Sequence, residues 1–231
     1  MAAPTLRLAH RGDWRRAPEN TIAALTAALD VPACDGLEFD VRSSADGIPV
    51  LSHDATLERV YGRPDRIDAL SATALGEIGV PTLAAVLSAV GRRPFLDVEL
   101  KVELGLAVVE VLAAGRGPGL SNAVVSSFDP AALERIAHLA PAWPRWLNSD
   151  RLDPSVVEDA VDLRCRAVAV QWRALDARSV RLARSAGLDV VAFTVRRRPT
   201  FDRLARLGVV AACVEGPALD GPVLTGSAQE R

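Results

Sequence analysis

"PFLDVELKVELGLAVVEVLAAG", residues 94–115, is a strand that runs directly into a helix. "FLDVEL", over 95–100, has the length and composition of a buried strand. From 102 to 115 the apolar residues return at three- and four-residue spacing, the period of a helix. The same unit recurs along the chain. Strand patterns lie at 6–9, 36–41, 123–127, 145–148, 167–171, 190–195 and 211–215. Helical patterns lie at 19–30, 82–90, 129–140, 153–163, 176–187 and 200–208. Asp129-Pro130 and Asp153-Pro154 are start signals, and Gly115, Gly187 and Gly208 stand at helix ends. Eight strands alternating with helices over 231 residues predict an α/β chain, a (β/α)8 TIM barrel forming one domain over residues 1–231. A doubly wound open sheet is the alternative, weakened because no Gly-rich phosphate loop follows the first strand.

The alternation breaks once. Residues 43–81 form an insertion after the second strand, opening on a short extra strand in "GIPVLSHD" (47–54). A turn-rich stretch with little helical period follows, and an insertion of this length is expected to serve function.

Composition narrows the classes. The net charge of −2 supplies no global field for nucleic acid or an anionic membrane. No apolar run reaches the roughly 20 residues of a membrane span, and "MAAPTLRLAHRG" lacks the pattern of a signal peptide. The C-terminal "TGSAQER" is polar and expected to fray. Cys34, Cys165 and Cys213 are widely spaced and odd in number, reading as reduced thiols of a cytoplasmic protein. Arg196-Arg197-Arg198 reads as solvated charge in an arginine-rich chain.

In a barrel, chemistry gathers at the C-terminal strand ends. The first strand ends on His10-Arg11-Gly12, the second carries Glu38 and Asp40, the inserted strand gives His53-Asp54, and the third carries Glu99 and Lys101. His138, in a helical pattern, is expected at the surface. Glu38 and Asp40 lie two apart and so share a face, as do Glu99 and Lys101. Three carboxylates facing one mouth repel unless a cation sits among them, and an oxygen-only donor set favours Mg2+ or Ca2+. The histidines could join the metal or serve as a general acid/base pair. Arg11 and Lys101 would hold an anionic substrate. Lys101 is the chain's single lysine against 26 arginines, so this position asks for a compact ammonium. Taken singly, each group has an ordinary structural reading; Pro18, Glu19 and Asn20 of "PENT" (18–21), for instance, serve equally as first-turn residues of a helix. Together they suit phosphodiester hydrolysis, in which charge on the phosphoryl oxygens is neutralised and two histidines move protons.

The series "AHRG…PENT…EFDVR…DGIPVLSHDATLER…ELK", running from residue 8 to about 101, resembles the glycerophosphodiester phosphodiesterase family, with weaker similarity over nearly the whole chain. The resemblance implies a metal-dependent barrel enzyme that cleaves small-molecule glycerophosphodiesters to sn-glycerol 3-phosphate and an alcohol. It implies His10 and His53 as the acid/base pair, Glu38, Asp40 and Glu99 as ligands of one divalent ion, and Arg11 and Lys101 on the phosphate. A related diesterase acting on lysophospholipids, and a non-catalytic barrel binding phosphate esters, are the alternatives. The departures from the family pattern fall on the substrate-facing rim. Phe193 and Arg196 stand where a Trp and a following Asn are common, and Val214 and Glu215 of "VVAACVEGP" stand where the last strand commonly carries a Gly and a "TD-x-P" ending. Phe193 is expected to touch substrate, and Glu215 to be peripheral.

Overall fold

A computed structural model describes residues 4–221. Its strands are β1 (Leu6–His10), β2 (Gly36–Ser43), β3 (Pro49–Leu51), β4 (Phe95–Leu100), β5 (Ala123–Ser127), β6 (Arg145–Ser149), β7 (Ala167–Gln171), β8 (Asp189–Val195) and β9 (Ala211–Val214). The helices are α1 (Ile22–Leu29), α2 (Glu58–Tyr61), α3 (Ala72–Ile78), α4 (Leu83–Val90), α5 (Gly105–Arg116), α6 (Pro130–Leu139), α7 (Pro154–Asp162), α8 (Ala177–Ser185) and α9 (Arg198–Leu207). All strands except β3 run parallel. β1 pairs with both β2 and β9, which closes the sheet into the expected (β/α)8 barrel and excludes the open-sheet alternative.

Strand parity divides the core. On β2 and β4, the side chains of Leu37, Phe39, Val41, Leu96, Val98 and Leu100 join the core beneath the helices, with Leu25, Val86 and Val108. The alternate positions face into the barrel. Its N-terminal half is filled by Leu8, Val124, Trp146, Ala167, Ala169, Val191 and Ala211, with Phe95 stacked on Trp146 at 5.7 Å. Gly36 makes room there, since a Cβ would stand 2.3 Å from the Phe95 carbonyl oxygen. Toward the C-terminal ends the interior turns polar, with buried Glu38, Asp40, Asp97, Ser126 and Asn148. Burying each Val or Leu contributes roughly 1.5–3 kcal/mol. A one-residue slip of β2 would expose those side chains to the wrong layer and drive carboxylates under the helices, so hydrophobic parity sets where the acids point.

Two expectations need correction. The helix expected over 19–30 begins only at Ile22, because Asn20 has φ 57° and Thr21 caps the first turn by accepting from the Ala24 N–H. The insertion is less irregular than its sequence implies. β3 pairs antiparallel to β2, and α2 and α3 follow, packing Leu57, Ile67 and Leu75 with Val50 and Val80 into a small core of their own. Ser71 caps α3 and Gly79, in the left-handed conformation, ends it. Helices this short display too few turns for a period to be read. The "TGSAQER" end lies outside the described residues. No helix among the described residues is long and apolar enough to cross a membrane. Cys34, Cys165 and Cys213 are free thiols, and His138 is exposed as expected.

Candidate active site

Parallel register builds the site row by row. His10 stands beside Glu38 where β1 meets β2, and Asp40 stands beside Glu99 where β2 meets β4. After His10 the chain turns sharply inward over α1. Arg11 has φ 58° and Gly12 φ 86°, and a Cβ on Gly12 would lie 2.5 Å from the Ala24 carbonyl carbon, so only glycine lets the turn approach the helix. His10, Arg11, Glu38, His53, Glu99, Lys101 and Phe193 line one cavity of about 180 Å3 at the C-terminal mouth. Asp40, fully buried, lies within reach of the same cluster. Every residue expected at the site therefore comes together. A larger cavity of about 740 Å3 opens among Leu6, Phe95 and Trp146, and holds none of these groups.

Glu38, Asp40 and Glu99 each offer an oxygen, all within 4.8 Å of one another. Glu38 Oε1 and Asp40 Oδ1 are buried without a hydrogen-bond partner. Lys101 Nζ donates to Glu99 Oε1 at 2.5 Å and lies 3.3 Å from Asp40 Oδ1, a charge contact without hydrogen-bond alignment. Arg11 Nε stands 3.0 Å from Asp40 Oδ2 in a similar charge contact, and its Nη1 donates to Glu19.

The titration behaviour follows from this crowding. Burial, then the negative charges of Asp40 and Glu99, push the Glu38 carboxyl well above its usual range. Burial and Asp40 raise Glu99 against the pull of Lys101. For Asp40, burial works upward, but Arg11 and Lys101 outweigh it and hold the carboxyl low. For Lys101, burial works downward, but Asp40 and Glu99 keep the ammonium charged. Asp97, in register with Glu38, rises to about 7 through burial, despite the Ser126 hydroxyl it accepts from. Arg11 and Lys101 are too few to balance these acids. Orphaned hard oxygens with surplus negative charge fit a divalent ion such as Mg2+ or Ca2+.

Several contributors were not foreseen. Asn20 is a clamp on Asp40 rather than a first-turn residue: its Nδ2 donates to Asp40 Oδ2 at 2.8 Å, and it accepts the Asp40 backbone N–H at 3.2 Å. Its signal was present in "PENT". Asp97 shares the parity of Glu99 and could have been read from that. Arg59 of the insertion donates to Glu19 and to Asp54, which in turn contacts His53 Nδ1 at 2.6 Å. The His53 imidazole is held below its usual value by burial, partly offset by Asp40 and Asp54. Phe193 meets Phe128 edge-on, ring centres 5.6 Å apart.

The expectation for Glu215 is overturned. It is buried, and its Oε1 lies 2.6 Å from His10 Nδ1. Ala9 pairs with Val214, so His10, the last residue of β1, stands beside Glu215, the first residue after β9. The contact spans the whole chain, and nothing local in the sequence announces it. Arg196 follows from the same register: it donates to Glu215 and is not purely solvated charge.

The family model described as "Glycerophosphoryl diester phosphodiesterase family" matches residues 10–219. A glycerophosphodiester phosphodiesterase of Caldanaerobacter subterraneus is 29% identical over 155 residues, 59% of this chain and 63% of that protein. Human glycerophosphodiester phosphodiesterase 1 is 50% identical over 60 residues, 26% of this chain and 18% of its own length. The chain thus spans less than two thirds of the length of these relatives. A solved structure of an Oleispira antarctica phosphodiesterase, in complex with the product sn-glycerol-3-phosphate, has a TM-score of 0.80 at 27% identity, covering 91% of this chain and 93% of that one.

Proposed function

Since the chain belongs to the glycerophosphoryl diester phosphodiesterase family, we propose that it hydrolyses glycerophosphodiesters to sn-glycerol 3-phosphate and an alcohol. Glu38, Asp40 and Glu99 hold one divalent ion, Mg2+ or Ca2+. The observation that carries this reading is the buried carboxylate cluster with orphaned oxygens in reach of two histidines and two cations. When bound, the ion neutralises the surplus charge of the cluster and withdraws charge from a phosphoryl oxygen.

The chain's own groups supply the rest. Arg11 and Lys101 orient the phosphate and stabilise the charge that builds on its oxygens. One histidine takes the proton of the attacking hydroxyl, and the other gives a proton to the departing alkoxide, so the pair ends with its protonation exchanged. The attacking hydroxyl is the glycerol 2-OH where the substrate has one, giving a cyclic phosphate that water opens in reverse roles; direct attack by water is the other route. Phe193 and Phe128 shape the rim against the glycerol or the leaving alcohol. A mouth cavity of about 180 Å3 favours a small diester over a lysophospholipid. The free thiols support a cytoplasmic setting, with residues 1–231 acting as one catalytic unit in lipid-headgroup turnover.

The test is a panel of glycerophosphodiesters assayed with Mg2+ and with Ca2+, scoring glycerol 3-phosphate release. Release that depends on metal supports the proposal. No release from any member with either ion would refute it.

A further inference from the structure

The two histidines are held by the same device, built from unrelated segments. His53 Nδ1 meets Asp54 Oδ1 at 2.6 Å, and Arg59 Nε donates to the other Asp54 oxygen at 2.6 Å. His10 Nδ1 meets Glu215 Oε1 at 2.6 Å, and Arg196 Nε donates to the other Glu215 oxygen at 2.6 Å. The first set lies within one short segment of the insertion, from His53 to Arg59 on α2. The second needs three barrel strands, since Ala9 pairs with Val214 and Val195 pairs with Val214 on the other side.

We propose that Glu215, anchored by Arg196, is the positioning residue for His10, fixing the ring so that Nδ1 carries the proton and Nε2 faces the substrate cavity. The inference rests on the phosphodiesterase reading above for its kinetic consequence, though not for the geometry. Three observations support it. A carboxylate has no proton to give, and here one oxygen is committed to the Arg196 guanidinium. The short contact to His10 is therefore an Nδ1–H donating to Glu215, which leaves the Nε2 lone pair free. Nε2 stands 3.7 Å from Glu38 Oε2, on the carboxylate side of the ring. Finally, the side chain of Glu215 is only 8% exposed while that of Arg196 is 73% exposed. An acid with no role beyond pairing to a surface arginine has no reason to be drawn into the mouth, where it costs desolvation.

The carboxylate also has a use that an amide lacks. When His10 takes a proton at Nε2 the ring becomes cationic, and Glu215 faces it directly, as the third member of a nucleophile–base–acid triad does. An amide at 215 could instead turn its NH2 toward Nδ1 and stabilise the opposite tautomer, with Nε2 protonated and unable to act as base.

The experiment combines ring nitrogen-15 NMR with kinetics on glycerophosphodiester substrate. The chain has three histidines, so selective histidine labelling gives an assignable spectrum once His53 and His138 are substituted in turn. In the wild type, His10 shows the Nδ1–H tautomer. In Glu215→Gln it shifts to Nε2–H or to a mixture while His53 keeps its signals. In the same variant kcat falls by about 100-fold, with KM within about 2-fold and Mg2+ affinity by calorimetry unchanged. Glu215→Asp keeps the tautomer and stays within about 10-fold of the wild-type kcat. Arg196→Gln, on an exposed side chain that does not threaten folding, lowers kcat by about 10-fold in the same direction. Wild-type kcat in Glu215→Gln, or an unchanged His10 tautomer, overturns the assignment. So does a loss of Mg2+ binding, which would make Glu215 a metal ligand. Absence of turnover in the wild type would instead sink the phosphodiesterase reading, and the tautomer comparison would still decide the role of Glu215.

Discussion

Asn20 and Asp40 grip each other at both ends: the Asn20 amide donates to the Asp40 carboxylate at 2.8 Å and accepts the Asp40 backbone N–H at 3.2 Å. The pair is buried, so the contact is made without competition from water. It commits Oδ2 to the clamp and leaves Oδ1 without a hydrogen-bond partner. Asn20→Ala orphans a buried N–H and frees the carboxylate to rotate. The expected loss is about 1–3 kcal/mol of stability and about 10- to 100-fold in Mg2+ affinity. Denaturant unfolding and titration calorimetry measure the two separately; unchanged affinity would show that Asp40 needs no clamp.

Metal removal should act on stability as well as turnover. The apo cluster is repulsive, since burial, Asp40 and Glu99 all raise Glu38. Glu38→Gln removes one of the opposing charges, so the chelated variant is expected to melt higher than the chelated wild type. The rise in Tm that Mg2+ or Ca2+ brings to the wild type should vanish in the same variant. Equal Tm responses to metal would place the ion elsewhere.

Lys101→Arg tests why this one cation is not an arginine. The ammonium sits between Glu99 and Asp40 with a side chain only 14% exposed. A forked guanidinium would pair with Glu99 and crowd the cluster. Lys101→Arg and Lys101→Met are both expected to lose roughly 3 kcal/mol of transition-state stabilisation, about 100-fold in kcat/KM at saturating metal. Near wild-type activity in the Arg variant would reduce Lys101 to a general positive charge.

His10→Ala and His53→Ala should each lower kcat by about 100-fold or more while leaving the fold intact. Both sit at the mouth and neither fills the apolar core. Circular dichroism checks the fold and steady-state kinetics the rate. Normal turnover in either variant would break the two-histidine scheme.

Glu215 also fixes an acid limb of stability. Burial raises its carboxyl, but His10 and Arg196 outweigh burial and bring it from the usual 4.5 down to about 2. A folded value below the unfolded one means the unfolded chain binds the proton first. The stabilisation is complete above about pH 4.5 and drains away as pH falls toward 2. Its full extent is on the order of 3 kcal/mol. Urea unfolding of wild type and Glu215→Gln between pH 5.5 and about 3 should show a steeper decline for the wild type. Parallel pH dependences would mean the acid is not held in this way.

Much of this protein is written locally. Strand and helix periods at 95–100 and 105–116 follow from residues a few positions apart, because a side chain's burial on a strand or helix depends on its own parity or phase. The same logic places Glu38 with Asp40 and Glu99 with Lys101 on one face, and the lone lysine marks its position by composition alone. Short helices such as α3 escape that logic, having too few turns to show a period.

What tertiary structure alone decided is which rows stand side by side. Closure of the barrel puts β9 against β1, so Glu215 reaches His10 across 205 positions of sequence. The turn before α1 brings Asn20 to Asp40, and the insertion carries Arg59 back to Glu19. These contacts depend on register between segments that share no local pattern. That register is set by the apolar parity of the strands, while the polar groups that ride on it leave no trace of their partners in the sequence.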